Sequence, residues 1–453
     1  MLIGNDLIGA LIMLAAFSAV ILTAEAWVRL GRPRPEAPRK LIHIGGGLVC
    51  LLYPFFIQNH DVVLAMAFGF IVLFVIARRY NFLRSLHSVE RQTKGSEFYP
   101  FAIWLIFIVS REALWLYISS VLILTLADGL AGLIGTRFGR HRYRISEETV
   151  KSIEGSLVFW GVSFVAICIS LIFLRDMPLA AAVLVALITS FLLTCLEAVS
   201  IYGTDNILVP VLACYILLKL TLKPLPELVF QSLSLFAIVT LFGWLCYLIR
   251  VISIGSALIL VGVAYAGWSL GSWHWEVPII LGFLVYFAVR WRFKPVGANP
   301  VVTPKTTLAA LIIPLAMIIL ANAMMQHQLF FAPYMAVCAV TAVLTSWDVY
   351  FRAKSCAPTA RRTASIAMII VIPLIVLVPT WRLVPGHDFM SLLVVGAVST
   401  LSCAYYCLVY VDAELAHGPR WTACQFLTAL SAGALCFLLQ YAGLLETWNV
   451  PVR

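Results

Sequence analysis

The chain has 453 residues, of which 62% are hydrophobic and 11% are charged, whereas soluble domains carry about 25% charged residues. This composition excludes an ordinary soluble protein and indicates an integral membrane protein. The formal net charge of +10 does not require a nucleic-acid partner, because the positive-inside rule gathers basic residues on one membrane face.

Apolar runs long enough to cross a bilayer need about 20 residues, and about sixteen runs approach this length. They lie near 6–28, 41–58, 61–77, 97–110, 113–135, 155–174, 178–199, 206–222, 228–249, 252–270, 275–290, 306–325, 332–350, 364–380, 388–411 and 421–443. The predicted fold class is therefore all-α, a polytopic transmembrane protein.

The first run lacks the basic start of a cleavable signal peptide, so we expect it to remain as a helix. If it ends inside the cell, most of the 31 basic residues fall in inner loops. The outer side then keeps only Arg111, Arg175, Lys219, Lys223, Arg382 and Arg453. This pattern predicts outer termini and a basic cytoplasmic face, in the inner membrane if the cell is bacterial.

A short Pro-rich connection at 221–227 divides the runs into two predicted membrane domains, 1–222 and 228–453. The first domain carries inner loops rich in Arg, Lys, Gly, Ser and Glu. We therefore expect the chemistry in 1–222. The 11 cysteines lie mostly inside apolar runs and are typical of packing residues.

Two basic clusters come first along the chain. Arg39 and Lys40 stand at the inner start of the second run, with His43 one turn further in. Arg91 and Lys94 precede the fourth run. These cations suit phosphate oxygens, and they equally suit topogenic charge and lipid headgroups.

Asp128 is the sharpest feature, because an ionisable residue within an apolar helix is costly and points to function. Gly132 and Gly135 follow it on the same helix face. Small residues there allow close helix packing or the close approach of a phosphate chain.

Two further polar clusters follow. Lys151, Ser152, Gly155 and Ser156 lie at the inner mouth of the sixth run, where a helix N-terminus favours anions and Ser152 suits a cap. Glu197 ends the seventh run, and Asp205 begins the eighth.

All five clusters fall on the inner side of one topology, which indicates a single active site. Its cations suit phosphate groups, and its acids, Asp128, Glu197 and Asp205, suit Mg²⁺ or the removal of a hydroxyl proton. The predicted chemistry is phosphoryl transfer.

At these residues, over about 1–222, the chain resembles the CTP-dependent lipid kinases. This family comprises dolichol, phytol and farnesol kinases and fungal CTP-dependent diacylglycerol kinase, and it is similar to phosphatidate cytidylyltransferases. The resemblance implies transfer of the γ-phosphate of CTP to a lipid alcohol, most simply an isoprenoid alcohol. It also implies that Arg39, Lys40, Asp128 and Gly135 are essential and that Lys151 is a phosphate ligand.

The second half is plainer. Gly271, Ser272 and Trp273, with Trp347 and Asp348 further on, resemble parts of the phytyl phosphate kinase family. We interpret 228–453 as a diverged partner domain.

Two other functions stay open from the residues alone. A cytidylyltransferase joining CTP to a lipid phosphate needs the same cations and metal. A transporter would place Asp128 in a substrate path, although motifs gathered at one face disfavour it.

Overall fold

The computed structural model describes residues 5–31, 36–80, 82–83, 95–145, 149–249, 252–293, 303–352, 358–384, 388–410, 419–448 and 450. Helices account for most of these residues, which confirms the all-α fold class. They form two compact units, Met1–Ala237 and Ile238–Arg453.

The first unit opens with a run of helices that corresponds to the predicted apolar segments. Their bounds are α1 (Asp6–Gly31), α2 (Glu36–Cys50), the single turn α3 (Tyr53–Phe56), α4 (His60–Tyr80), α5 (Gly95–Val109), α6 (Leu114–Leu122), α7 (Asp128–Phe138), α8 (Ile153–Phe173), α9 (Leu179–Val199), α10 (Asp205–Leu220) and α11 (Leu225–Ile249), whose last turns belong to the second unit.

The second unit continues the helical pattern with α12 (Ile254–Leu270), α13 (Trp273–Phe293), α14 (Pro304–Ala323), α15 (His327–Arg352), α16 (Pro358–Leu383), α17 (Phe389–Tyr410) and α18 (Pro419–Tyr441). Its core surrounds α15, where Phe331, Tyr334 and Trp347 have no exposed surface.

Among the described residues, 11 helical stretches are long and apolar enough to cross a membrane. Helices suit this setting because they satisfy their backbone hydrogen bonds internally, where lipid supplies no partners. Two shorter apolar helices, Gly95–Val109 and Ile254–Leu270, accompany them. The protein is therefore a polytopic membrane protein, as its composition predicts.

One predicted helix is interrupted. The run near 113–135 is not a single α-helix, because Ile123–Ala127 forms a π-helical segment between α6 and α7. Such segments add a residue to one turn and occur frequently at functional sites. This wider turn ends directly before Asp128.

A small hairpin occupies part of the connection between α7 and α8. Strands β1 (Arg142–Arg144) and β2 (Val150–Ser152) pair antiparallel, with Tyr143 opposite Lys151. The strands are too short for their side-chain alternation to stand out in the sequence. The hairpin positions Lys151.

Candidate active site

A buried ion pair joins α2 to α7. The ammonium group of Lys40, only 5% exposed, lies 2.9 Å from Oδ2 of Asp128 and also donates to the Asp128 carbonyl oxygen at 3.0 Å. Gly132 makes room for this contact, since a Cβ there would come 2.5 Å from Cε of Lys40. A buried charge needs such a partner, because taking it out of water is expensive.

His43 adds a second contact to the same carboxylate. Its Nε2 lies 3.0 Å from Oδ2 of Asp128 and 2.8 Å from the carbonyl oxygen of Leu124. Both neighbours are acceptors when the acid is ionised, so Nε2 carries a proton and donates. The ring also meets Tyr99 edge-on at a centroid distance of 4.8 Å. His43 therefore orients Asp128.

His43 is not among the catalytic or phosphate-binding residues predicted from the sequence. The available signal was its position three residues after Lys40, which puts both side chains on one helix face.

Lys151 forms a second charged group within the first unit. Its Nζ lies 2.5 Å from Oε1 of Glu197 and 3.8 Å from Oδ2 of Asp205, and it also donates to the Glu197 carbonyl oxygen. Burial by itself lowers the pKa of Lys151, but the nearby carboxylates of Glu197 and Asp205 outweigh it and raise the pKa above its usual value. Lys151 is therefore a charged ammonium at neutral pH.

The three acids predicted as metal ligands come together from three helices. One carboxylate oxygen from each of Asp128, Glu197 and Asp205 lies within 4.8 Å of the others. Neighbouring oxygen ligands of an octahedral Mg²⁺ ion are about 3 Å apart and opposite ones about 4 Å, since each Mg–O distance is about 2 Å. The donor set, all carboxylate oxygen, therefore suits a hard divalent cation once the side chains move closer together. We refer to these residues as the acid cluster.

Arg39 lies at the same end of α2, but it contacts neither the acid cluster nor Lys151 in any interaction that the structure shows. Its guanidinium pairs with Glu36 at 2.8 Å, and the residue lines the cavity beside the cluster. Arg91 and Lys94 lie outside the described residues.

The small residues expected to approach phosphate lie where α7 meets α8. Ser152 caps α8 by accepting a hydrogen bond from the Gly155 amide at 3.2 Å. A Cβ on Gly135 would come 2.9 Å from the Ser152 hydroxyl oxygen. The Ser156 hydroxyl lies 2.8 Å from that of Tyr143. The Gly135 contact packs α7 against the start of α8, and the Tyr143 contact joins the hairpin to α8. A phosphate role for these residues stays a prediction.

A cavity of about 570 Å³ adjoins this site. Its polar end contains Arg39, Lys40, Asp128, Lys151 and Asp205. Its other end is lined by apolar side chains of α1 and α4. We call this part of the cavity the apolar arm, and the residues that define it are Phe17, Ile21, Val63, Ala67, Phe70 and Phe74. An apolar cavity with a few converging polar groups is typical of a small-molecule site.

Comparison with known proteins identifies a relative of this chain. The chain is 35% identical to a phytol kinase from Synechocystis sp. over 196 residues, which cover 42% of this chain and 82% of the relative. No family model matches the sequence, and no solved structure matches it. The identity and the coverage of the relative, alongside a buried site of paired acids and lysines, show that this chain belongs to the phytol kinase family.

Proposed function

We propose that the protein phosphorylates the hydroxyl group of an isoprenoid alcohol in the membrane, with CTP as the phosphate donor and Mg²⁺ as the cation. The observation that carries this proposal is the acid cluster flanked by Lys40 and Lys151 at the polar end of a cavity that continues into an apolar arm. The membership of the phytol kinase family supports the kinase activity and the alcohol acceptor.

The charges of the site suit a nucleoside triphosphate. Three carboxylates at this separation repel one another, and the two lysines balance only part of their charge. A divalent cation held by Asp128, Glu197 and Asp205 would balance the remaining negative charge of the carboxylates and would neutralise phosphate oxygens. Lys40, Lys151 and Arg39 then supply positive charge for the transferred phosphoryl group, in surroundings where such charge acts more strongly than in water.

The transfer itself needs a base and an acceptor oxygen. In the proposed reaction the alcohol oxygen forms a bond to the γ-phosphorus, the bond from that phosphorus to the bridging oxygen breaks, and the nucleoside diphosphate leaves. A carboxylate of the acid cluster accepts the hydroxyl proton. The contacts of Asp128 with Lys40 and His43 hold its side chain in place beside the reacting groups.

The test is an assay of the purified protein with Mg²⁺, labelled nucleoside triphosphates and farnesol, phytol and a dolichol-length polyprenol. We expect a phosphorylated alcohol and CDP, with CTP preferred over ATP, GTP and UTP. Release of pyrophosphate from CTP in an assay with a lipid phosphate as the acceptor would instead indicate cytidylyl transfer. If folded protein forms neither product, the proposal is contradicted.

A further inference from the structure

The cavity changes from polar to apolar in a regular way along α2. Lys40 and His43 line its polar end, and Gly46 and Cys50 follow them on the same helix, before Tyr53 in the next turn of chain. Lys40, His43, Gly46 and Cys50 recur every three or four residues, so they form one face of α2. Cys50 and Tyr53 are 2% and 3% exposed.

The same gradient runs along α4. Arg78, which pairs with Glu97 at 2.6 Å, lines the cavity near the end of that helix. Phe74, Phe70, Ala67 and Val63 continue from it at helical spacing and are all buried. A helix rises about 1.5 Å per residue, so the face from Phe74 to Val63 is about 16 Å long.

Phe17 of α1 closes this arm between the two helices. Its ring lies 4.7 Å from that of Phe70 and 6.4 Å from that of Tyr53. A Cβ on Gly46 would come 3.0 Å from the Phe17 ring, so the glycine lets the ring lie against α2. The arm is therefore an elongated apolar space that adjoins the acid cluster at one end.

We propose that the apolar arm binds the hydrocarbon chain of the alcohol substrate, with the hydroxyl group at Asp128 and the far end of the chain toward Val63. This inference rests on the proposed function. The shape and polarity of the cavity fit a long apolar molecule with a single polar group at its end, because an apolar chain gains free energy on leaving water and the hydroxyl needs polar partners.

The length of the arm then determines which hydrocarbon chain lengths of the alcohol the site accepts. A chain that ends before Ala67 is unaffected by a larger side chain there, whereas a longer chain meets it. Ala67 is 3% exposed and lines the cavity, while Ala65 of the same helix is exposed. The two alanines are therefore a matched pair for substitution.

One experiment uses the unmodified protein. A farnesol analogue with a photoreactive diazirine at the end of its chain is cross-linked in detergent, and labelled peptides are identified by mass spectrometry. In parallel, phosphorylation of unmodified farnesol is measured. We expect labelling on α4 near Phe70 or on α1 near Phe17, which excess phytol suppresses.

The outcomes separate the two proposals. Labelling of the arm without phosphorylation would support the arm as a prenyl-chain site and contradict the kinase function. Phosphorylation with labelling confined to other residues would overturn the inference and leave the function standing. No labelling at all, or labelling that excess phospholipid suppresses as well as phytol does, would also overturn the inference.

A second experiment measures selectivity. For Ala67→Phe we expect kcat/KM to fall roughly tenfold or more with phytol and much less with farnesol, since a bulky group in an apolar site discriminates to that degree. Ala65→Phe should leave both values near those of the parent. If kcat/KM falls equally with the two alcohols in a folded Ala67→Phe protein, the arm does not select the alcohol by its chain length.

Discussion

The Lys40 ammonium group donates hydrogen bonds to both the carboxylate and the backbone carbonyl of Asp128, at 2.9 and 3.0 Å. The two residues are 88 positions apart in the chain. The pair fixes the start of α7 against α2 and leaves the carboxylate beside Glu197 and Asp205. One contact thus links the packing of the first unit to the geometry of its acid cluster.

Asp128→Asn should separate chemistry from folding. Asn is uncharged, so the variant should insert into the membrane at least as well as the parent. It accepts a proton poorly, so we expect phosphorylation of the alcohol to fall about a hundredfold or more. Asp61→Asn, an exposed acid at the start of α4, is the control. Near-normal activity of Asp128→Asn would show that the active site lies elsewhere.

Lys40→Met should cost stability as well as activity. The substitution leaves the Asp128 carboxylate buried without its cation, and removing one partner of a buried pair costs roughly 3 kcal/mol. The double variant Lys40→Met, Asp128→Asn should recover most of this loss while staying inactive. Thermal unfolding in detergent measures the effect. If the two single effects simply add in the double variant, the pair is not coupled.

Asp205→Asn should weaken metal binding by the acid cluster. Loss of one carboxylate ligand removes charge and a strong oxygen donor, so more Mg²⁺ should be needed for half-maximal activity. Mn²⁺ binding followed by electron paramagnetic resonance gives a readout independent of turnover. Asp176→Asn, at an exposed loop position after α8, should bind Mn²⁺ like the parent. Unchanged Mn²⁺ affinity in Asp205→Asn would remove Asp205 from the predicted ligands.

Gly47→Ala should disrupt the contact between α2 and the π-helical segment. A Cβ at this position would overlap the Thr125 side chain and come 2.5 Å from the Tyr99 hydroxyl oxygen. We expect a lower melting temperature, because overpacking of this kind typically costs 1–3 kcal/mol. Gly69→Ala on α4 has no atom within 4 Å of its Cβ and should be neutral or stabilising. An equal change in both variants would argue against this close packing.

The predicted topology places the loops on either side of α8 on opposite membrane faces. A cysteine replacing Arg140 should be protected from an impermeant maleimide in intact cells, whereas one replacing Asp176 should react. Background labelling should be low, since the ten cysteines among the described residues are buried or half-buried. The reverse pattern would invert the topology and move the acid cluster to the outer face.

The sequence by itself determined the class of the protein. Long apolar runs need no tertiary information to be recognised, because lipid forces a backbone in such a run to form helix. It also singled out Asp128, since a carboxylate among apolar residues stands out against its neighbours. Glu197 and Asp205 were selected on their polar positions at the ends of helices.

Only the tertiary structure decided which charges are paired. Arg39 and Lys40 are neighbours in the chain, yet Arg39 pairs with Glu36 of its own helix, while Lys40 reaches Asp128. Adjacent residues on a helix point about 100° apart, so packing against α7 selects one of them. Lys151 likewise meets Glu197 because a hairpin too short to recognise in the sequence carries it there. The apolar arm belongs to no single segment, and it exists only where faces of α1, α2 and α4 come together.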